Sequence, residues 1–134
     1  MKQGIEHGTG HLDVVVTEEM TAHLEGHVLH RIYGTFWACY HAEVAARKAI
    51  EPYFDEGENA VGSELAISHH TMAPVGALLH VTATVESVRD RRIVCRVEIR
   101  HGDRLVASGT QQQTILPTTV IDRKVREVYE LYGR

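Results

Sequence analysis

The stretch Thr35 to Ile50, TFWACYHAEVAARKAI, decides the architecture. It contains neither proline nor glycine and is rich in alanine. Glu51-Pro52 closes it, because a residue that precedes proline is pushed out of helical φ/ψ space. One substantial helix is predicted, with Phe36, Trp37, Tyr40, Val44 and Ala45 forming a broad apolar face on a 3.6-residue period. Arg47 and Lys48 sit where the helix dipole favours cations. His41 and Glu43 are harder to place in a helix that must be apolar around most of its girth.

Downstream, beyond the loop PYFDEGENA, the apolar period falls to two. Leu79, Val81, Ala83 and Val85 alternate with His80, Thr82, Thr84 and Glu86, the pattern of a half-buried strand. Ile93, Cys95, Val97 and Ile99 repeat it against Arg92, Arg96, Glu98 and Arg100, and the polar break Arg89 to Arg91 joins the two as a hairpin. His101-Gly102-Asp103 is a second turn, leading into Arg104 to Ile115. With Val61 to Thr71 these make four consecutive antiparallel strands, because the connections are too short for crossovers. Asp122 to Leu131 reads as a closing helix with Val125, Val128 and Leu131 on one side. Upstream, Gly10 to Thr17 is a valine-rich strand, Thr17-Glu18-Glu19 a helix start, and Ala22 to Gly34 a short helix and loop. One long helix against an antiparallel sheet is an α+β layer architecture, and a sheet that wraps such a helix is the hotdog arrangement.

The chain has 134 residues, so one domain spanning 1–134 is expected. A net charge of -4 offers no general attraction to phosphate backbones, which disfavours a nucleic-acid partner. The arginines at 89, 91, 92, 96, 100 and 104 read as the solvated face of a sheet. No stretch approaches the ~20 apolar residues of a spanning helix, and the N-terminus lacks an apolar signal core. With two cysteines, Cys39 and Cys95, both expected to be buried thiols, a cytoplasmic protein with no membrane association is the expectation. The ten histidines are the unusual number. His23, His27 and His30, at i, i+4 and i+7, would share one helix face, but Gly26 interrupts that helix and no HExxH motif accompanies them. No metal site is predicted.

The run Thr35 to Gly76 resembles the corresponding segment of the fluoroacetyl-CoA thioesterase-like family of hotdog thioesterases. The features that carry the resemblance are a threonine at the start of the long helix, a glutamate eight residues on, the loop E-P-Y/F-x-E-G, a glycine ahead of the next strand, and a histidine followed by T-x-x-P-x-G. The likeness continues more weakly through VTATVESVRDRR to Ser108-Gly109-Thr110. It implies a catalytic set of Thr35, Glu43 and His69, with Gly62 beside the substrate. Gln113 stands where the family places a substrate-recognising arginine, and Gly26 and Leu29 stand where its fluoroacetyl-specific members carry lid phenylalanines. The implied substrate is therefore a small or short-chain acyl-CoA rather than fluoroacetyl-CoA, and no cofactor is implied.

These residue types suit thioester hydrolysis. A glutamate can activate water or attack the carbonyl, a histidine moves protons near neutral pH, and a hydroxyl with backbone N–H groups orients the reacting atoms. Each also has a plain alternative. Thr35 could cap the helix, Glu43 could be a solvated helix residue, and His69 and His70 must point to opposite faces of a strand. His69 is the one in register with the family histidine. Eight helical residues separate Thr35 from Glu43 by about 12 Å, so one site built from both would draw on two subunits of a homodimer. A noncatalytic CoA-thioester or small-ligand binding protein on the same fold is the alternative reading. A hydratase is disfavoured, since no acid–histidine pair follows the helix.

Overall fold

Small residues set how closely the long helix approaches its sheet. In the computed structural model, which describes residues 1–133, α1 spans Thr35–Ile50. Its buried face is Ala38, His41, Ala42, Ala45, Ala46, Ala49 and Ile50. Phe36 and Tyr40, expected on the core face, are 75% and 54% exposed. The methyl groups won that face because they let the helix backbone lie against the sheet. At Gly10 on the first strand, an added Cβ would stand 2.2 Å from the Ala45 carbonyl oxygen and 2.6 Å from the Ala49 nitrogen. No side chain fits there.

The sheet has five antiparallel strands in the order β1-β5-β6-β7-β4, where β1 is Thr9–Val15, β4 Glu58–His69, β5 Leu78–Arg89, β6 Arg92–His101 and β7 Arg104–Pro117. It wraps α1, which touches every one of these strands. The core lies between them: Val14, Leu79, Val81, Ile93, Cys95, Val97, Ile99 and Ile115 supply the period-two inner face and are buried. The α+β hotdog architecture read from the sequence is the one observed. The four strands from β4 onward are antiparallel as expected, but they do not lie side by side in chain order. The segment from 70 to 77 carries the chain away from β4, which pairs with β7 instead of β5. That leaves β4 and β1 as the two edges of the sheet.

One expected element is corrected. Residues 22–34 form no helix; Thr21–Leu24 (β2) and His27–Tyr33 (β3) are an antiparallel hairpin. Glu25 and Gly26 both take positive φ, 49° and 80°, the conformation of a two-residue hairpin turn that suits the right-handed twist of its strands. The glycine that would interrupt a helix here makes a turn. Likewise Thr17 to Glu19 opens only a single 3-10 turn, Glu18–Met20.

Of the two thiols, Cys95 is buried as expected, with its pKa pushed up to about 11 by desolvation. Cys39 is only half-buried. A closing helix, α2 (Thr118–Tyr132), begins earlier than expected and leaves Val125, Val128 and Leu131 exposed. Among the described residues no helix is long and apolar enough to cross a membrane.

Candidate active site

Thr35 is the first residue inside α1, with Gly34 as N-cap, and among the described residues no side chain caps that end. The Trp37 N–H donates to the Gly34 carbonyl at 3.1 Å, while the N–H groups of Thr35 and Phe36 precede the first helical acceptor, so this terminus presents the positive end of the helix dipole. The Thr35 hydroxyl, free of capping duty, lies 2.9 Å from Nδ1 of His69 at the end of β4. Burial lowers the pKa of His69, an effect the Thr71 carbonyl partly offsets, so its imidazole is neutral at neutral pH. Its Nε2 is buried without a hydrogen-bond partner among the described residues. His70, on the opposite side of the chain, bonds instead to the Ser108 hydroxyl at 2.8 Å.

Behind this pair lies a buried polar contact, the Tyr33 hydroxyl 2.6 Å from Nδ1 of His41. The His41 ring stacks on Tyr33 and is flanked by Trp37 and Tyr40. Burial lowers the His41 pKa and raises that of Tyr33. The histidine that seemed out of place on an apolar helix face is thus satisfied by a tyrosine. A cleft of about 500 Å³ opens in front of Thr35, lined by Leu24 and Leu29 of the hairpin together with Phe36 and Trp37.

Glu43 belongs to a second cluster. Its Oε2 accepts a 3.1 Å hydrogen bond from the Gln111 amide of β7. It also lies against Gly62, where an added Cβ would come within 3.3 Å of Oε2 and 3.4 Å of the Gln111 amide nitrogen. A side chain at this position would push the carboxylate and the amide back by a few tenths of an ångström. Gln113 lies next to Gly62 in the β4–β7 register and is buried, its amide donating to the Ala46 carbonyl at 3.1 Å. Glu43, Gly62 and Gln113 line a separate cleft of about 500 Å³ with Arg47 and Lys48.

The predicted residues therefore fall into two groups within one chain: Thr35 with His69, and Glu43 with Gly62. Along β4 seven residues separate Gly62 from His69, about 23 Å of extended strand. Sequence reading missed Gln111. In the run QQQT only its alternation with Gln113 on the inner face of β7 hinted that two glutamines turn inward beneath the helix.

The hairpin histidines do not all share a face. In the hairpin His23 pairs with Val28, and His27 pairs with Leu24, so alternation turns His23 and His27 to opposite sides.

Comparison with known proteins agrees with this architecture. Residues 16–119 match the family model described as fluoroacetyl-CoA-specific thioesterase. The chain is 31% identical over 91 residues to the fluoroacetyl-CoA thioesterase of Streptantibioticus cattleyicolor, a match covering 68% of this chain and 60% of that relative's length. A thioesterase superfamily member from Thermus thermophilus superposes with a TM-score of 0.93 at 32% identity, covering 97% of both chains. A mutant of the fluoroacetyl-CoA-specific thioesterase superposes with a TM-score of 0.81 at 27% identity, covering 94% of this chain and 98% of the other. With a family match over most of its length, placed on the hotdog fold, the chain belongs to the fluoroacetyl-CoA-specific thioesterase family.

Proposed function

We propose that this protein hydrolyses a small or short-chain acyl-CoA thioester to the free acid and CoA, at two composite sites of a homodimer. The observation that carries the proposal is the division of the chemistry: a hydroxyl–imidazole pair at a helix N-terminus with no side-chain cap, and a carboxylate in the middle of that helix held by an amide in the middle of β7. Each half lacks what the other offers.

An edge strand supplies the means of joining them. Among the described residues the outer edge of β4 has no partner strand, and such an edge is a template for pairing with another chain. The β4–β7 register shifts between Gly62 and Glu64, which makes Ser63 a bulge. Two β4 strands that pair antiparallel about Ala66 set Leu65 opposite Ile67. With Ser63 as the extra residue, they set Gly62 opposite His69, both facing inward. Glu43 rests on Gly62, so this pairing delivers the partner's Glu43 to the Thr35–His69 pair. Val61 on the same edge strand, with Val125 and Val128 of α2, lines an apolar cleft that a second copy would help to cover.

In such a site the N–H groups at the start of α1 and the Thr35 hydroxyl face the thioester oxygen, where negative charge develops. Neutral His69 and Glu43 move protons, and Glu43 either activates water or attacks the carbonyl carbon. In the first route, water adds to the carbonyl and the C–S bond breaks to give the acid and CoA; in the second, the C–S bond breaks to give CoA and a Glu43–acyl anhydride, which water then hydrolyses to release the acid and restore the carboxylate. Leu24 and Leu29 of the hairpin border the acyl side. Arg47 and Lys48 beside Glu43 suit the phosphates of CoA.

A panel of acyl-CoA substrates followed by thiol release tests the reading. Turnover that is greatest for small acyl groups is expected. Measurable CoA-thioester binding with no turnover for any acyl group would instead assign a noncatalytic binding protein.

A further inference from the structure

The edge opposite β4 carries a cluster that the hydrolytic site does not use. Alternation along β1 turns Val14 into the core and His11 and Asp13 outward, while β5 buries Leu79 and Val81 and turns His80 outward. The register places Asp13 directly opposite His80, and His11 opposite Thr82, one position along the same face. Two strands of one hydrogen-bonded sheet thus bring three side chains to one point. His11 Nε2 is 2.9 Å and His80 Nδ1 2.7 Å from the same carboxylate oxygen of Asp13. One donor atom from each of the three residues lies within 4.8 Å of the other two. The two imidazoles are stacked, with centroids 6.1 Å apart and ring planes 19° apart.

We propose that His11, Asp13 and His80 bind a divalent transition-metal ion of the Zn²⁺ type. Two imidazole nitrogens and one carboxylate oxygen are the donor set that such ions favour, whereas Mg²⁺ and Ca²⁺ take mainly oxygen. Bonds of about 2.0–2.2 Å from one ion place its donors a little over 3 Å apart. That spacing is close to the carboxylate–imidazole distances already present, so side-chain rotation without backbone movement completes the site. A fourth position stays open to water.

The ion's structural effect follows from where β1 sits. Among the described residues this edge strand is bonded on one side only, to β5, and its inner face carries Gly10, which lies against the α1 backbone. A metal bridging β1 to β5 would hold that edge in place. The hairpin histidines form no comparable set among the described residues.

Full-length protein stripped with a chelator and titrated with ZnCl₂ in a calorimeter tests the site, with Co²⁺ as a visible-absorbance reporter. Saturable binding of one Zn²⁺ per chain is expected, weakened about tenfold or more in Asp13→Ala and His80→Ala and unchanged in His27→Ala. All three side chains are partly or fully exposed, so these variants keep the fold. No saturable binding by the unaltered chain, or equal binding by His80→Ala and Asp13→Ala, overturns the proposal. The readout is metal affinity, so the result does not depend on whether the chain hydrolyses thioesters.

Discussion

The Gln111 amide holds the Glu43 carboxylate through a 3.1 Å hydrogen bond, from a side chain only 1% exposed. Gln111 is fixed in the β7 ladder and Glu43 in the middle of α1, so the bond ties the carboxylate to the sheet and aims it at Gly62. The other amide atom, Oε1, is buried with no partner among the described residues. Gln111 thus sits under Glu43 at the cost of an unsatisfied acceptor, which marks it as a positioning residue for the proposed reaction.

Replacing Gln111 with leucine removes both the donor and the orphaned acceptor. A hydrogen bond to a charged group is worth roughly 1.5–3 kcal/mol, so kcat should fall about 10- to 100-fold. KM should change little, since Gln111 is buried. Steady-state kinetics that showed the loss entirely in KM would assign Gln111 to substrate binding instead.

Glu43→Gln and His69→Ala should each lower kcat/KM at least ~100-fold, the usual contribution of an acid–base group. Mixing these two inactive variants distinguishes a composite site from one built within a chain. After unfolding and refolding together, about half the dimers contain one of each variant, and each of these has one intact site. Activity should therefore return to about a quarter of the unaltered level. A site built within one chain would recover nothing.

Ala66→Cys tests the register of the proposed interface. Side chains directly opposed across an antiparallel pair have Cβ atoms about 4.5–5.5 Å apart, close enough for mild oxidation to link two chains. Non-reducing electrophoresis should show a covalent dimer with Ala66→Cys and none with Glu64→Cys, whose predicted opposite is Ser68.

Gly10→Ala tests the contact between helix and sheet. The added methyl would meet the Ala45 carbonyl at 2.2 Å, and that atom belongs to a helix backbone with little freedom to move. Denaturant unfolding should show a loss of about 2 kcal/mol or more, at the upper range for overpacking.

The buried histidines set a pH dependence. The pKa values of His41 and His69 lie below that of an exposed imidazole because burial disfavours the cation, so below about pH 6.5 the unfolded chain binds more protons than the folded one. Stability is unaffected by these groups above that pH. It falls as pH drops from about 6.5 towards the folded-state values, and levels off once both states are protonated. Tyr33→Phe leaves His41 without its hydroxyl partner. Thermal melts between pH 5 and 8 should show this acid-side loss, and a Tm that rises on acidification would contradict the assignment.

The elements that decide the fold were legible because their patterns are local. Thr35 to Ile50 has helical composition with a proline stop, and Leu79 to Ile99 alternates with period two around a polar turn. Residues 22–34 misled because a 3.6-residue spacing of three histidines coincided with a hairpin. There the decisive signal was Glu25-Gly26, a two-residue turn, and not the spacing of the imidazoles. The α1 core face misled for a different reason. Both the aromatic and the alanine stripes have helical periodicity, and only close approach to the sheet at Gly10 selects the small one.

The sequence alone determined that Thr35 and Glu43 lie two turns apart on one helix, that His69 and His70 face opposite ways, and that one long helix opposes an antiparallel sheet. These follow from bond geometry and periodicity along a single stretch of chain. Tertiary structure decided which strands became edges, that Gln111 and not Gln113 reaches Glu43, and that His69 meets Thr35 far from Gly62. It also gathered His11 and Asp13 with His80, nearly seventy residues further along the chain. Such contacts depend on register between strands distant in the chain, and register is set by the packing of the whole sheet around α1, which no local window of residues contains.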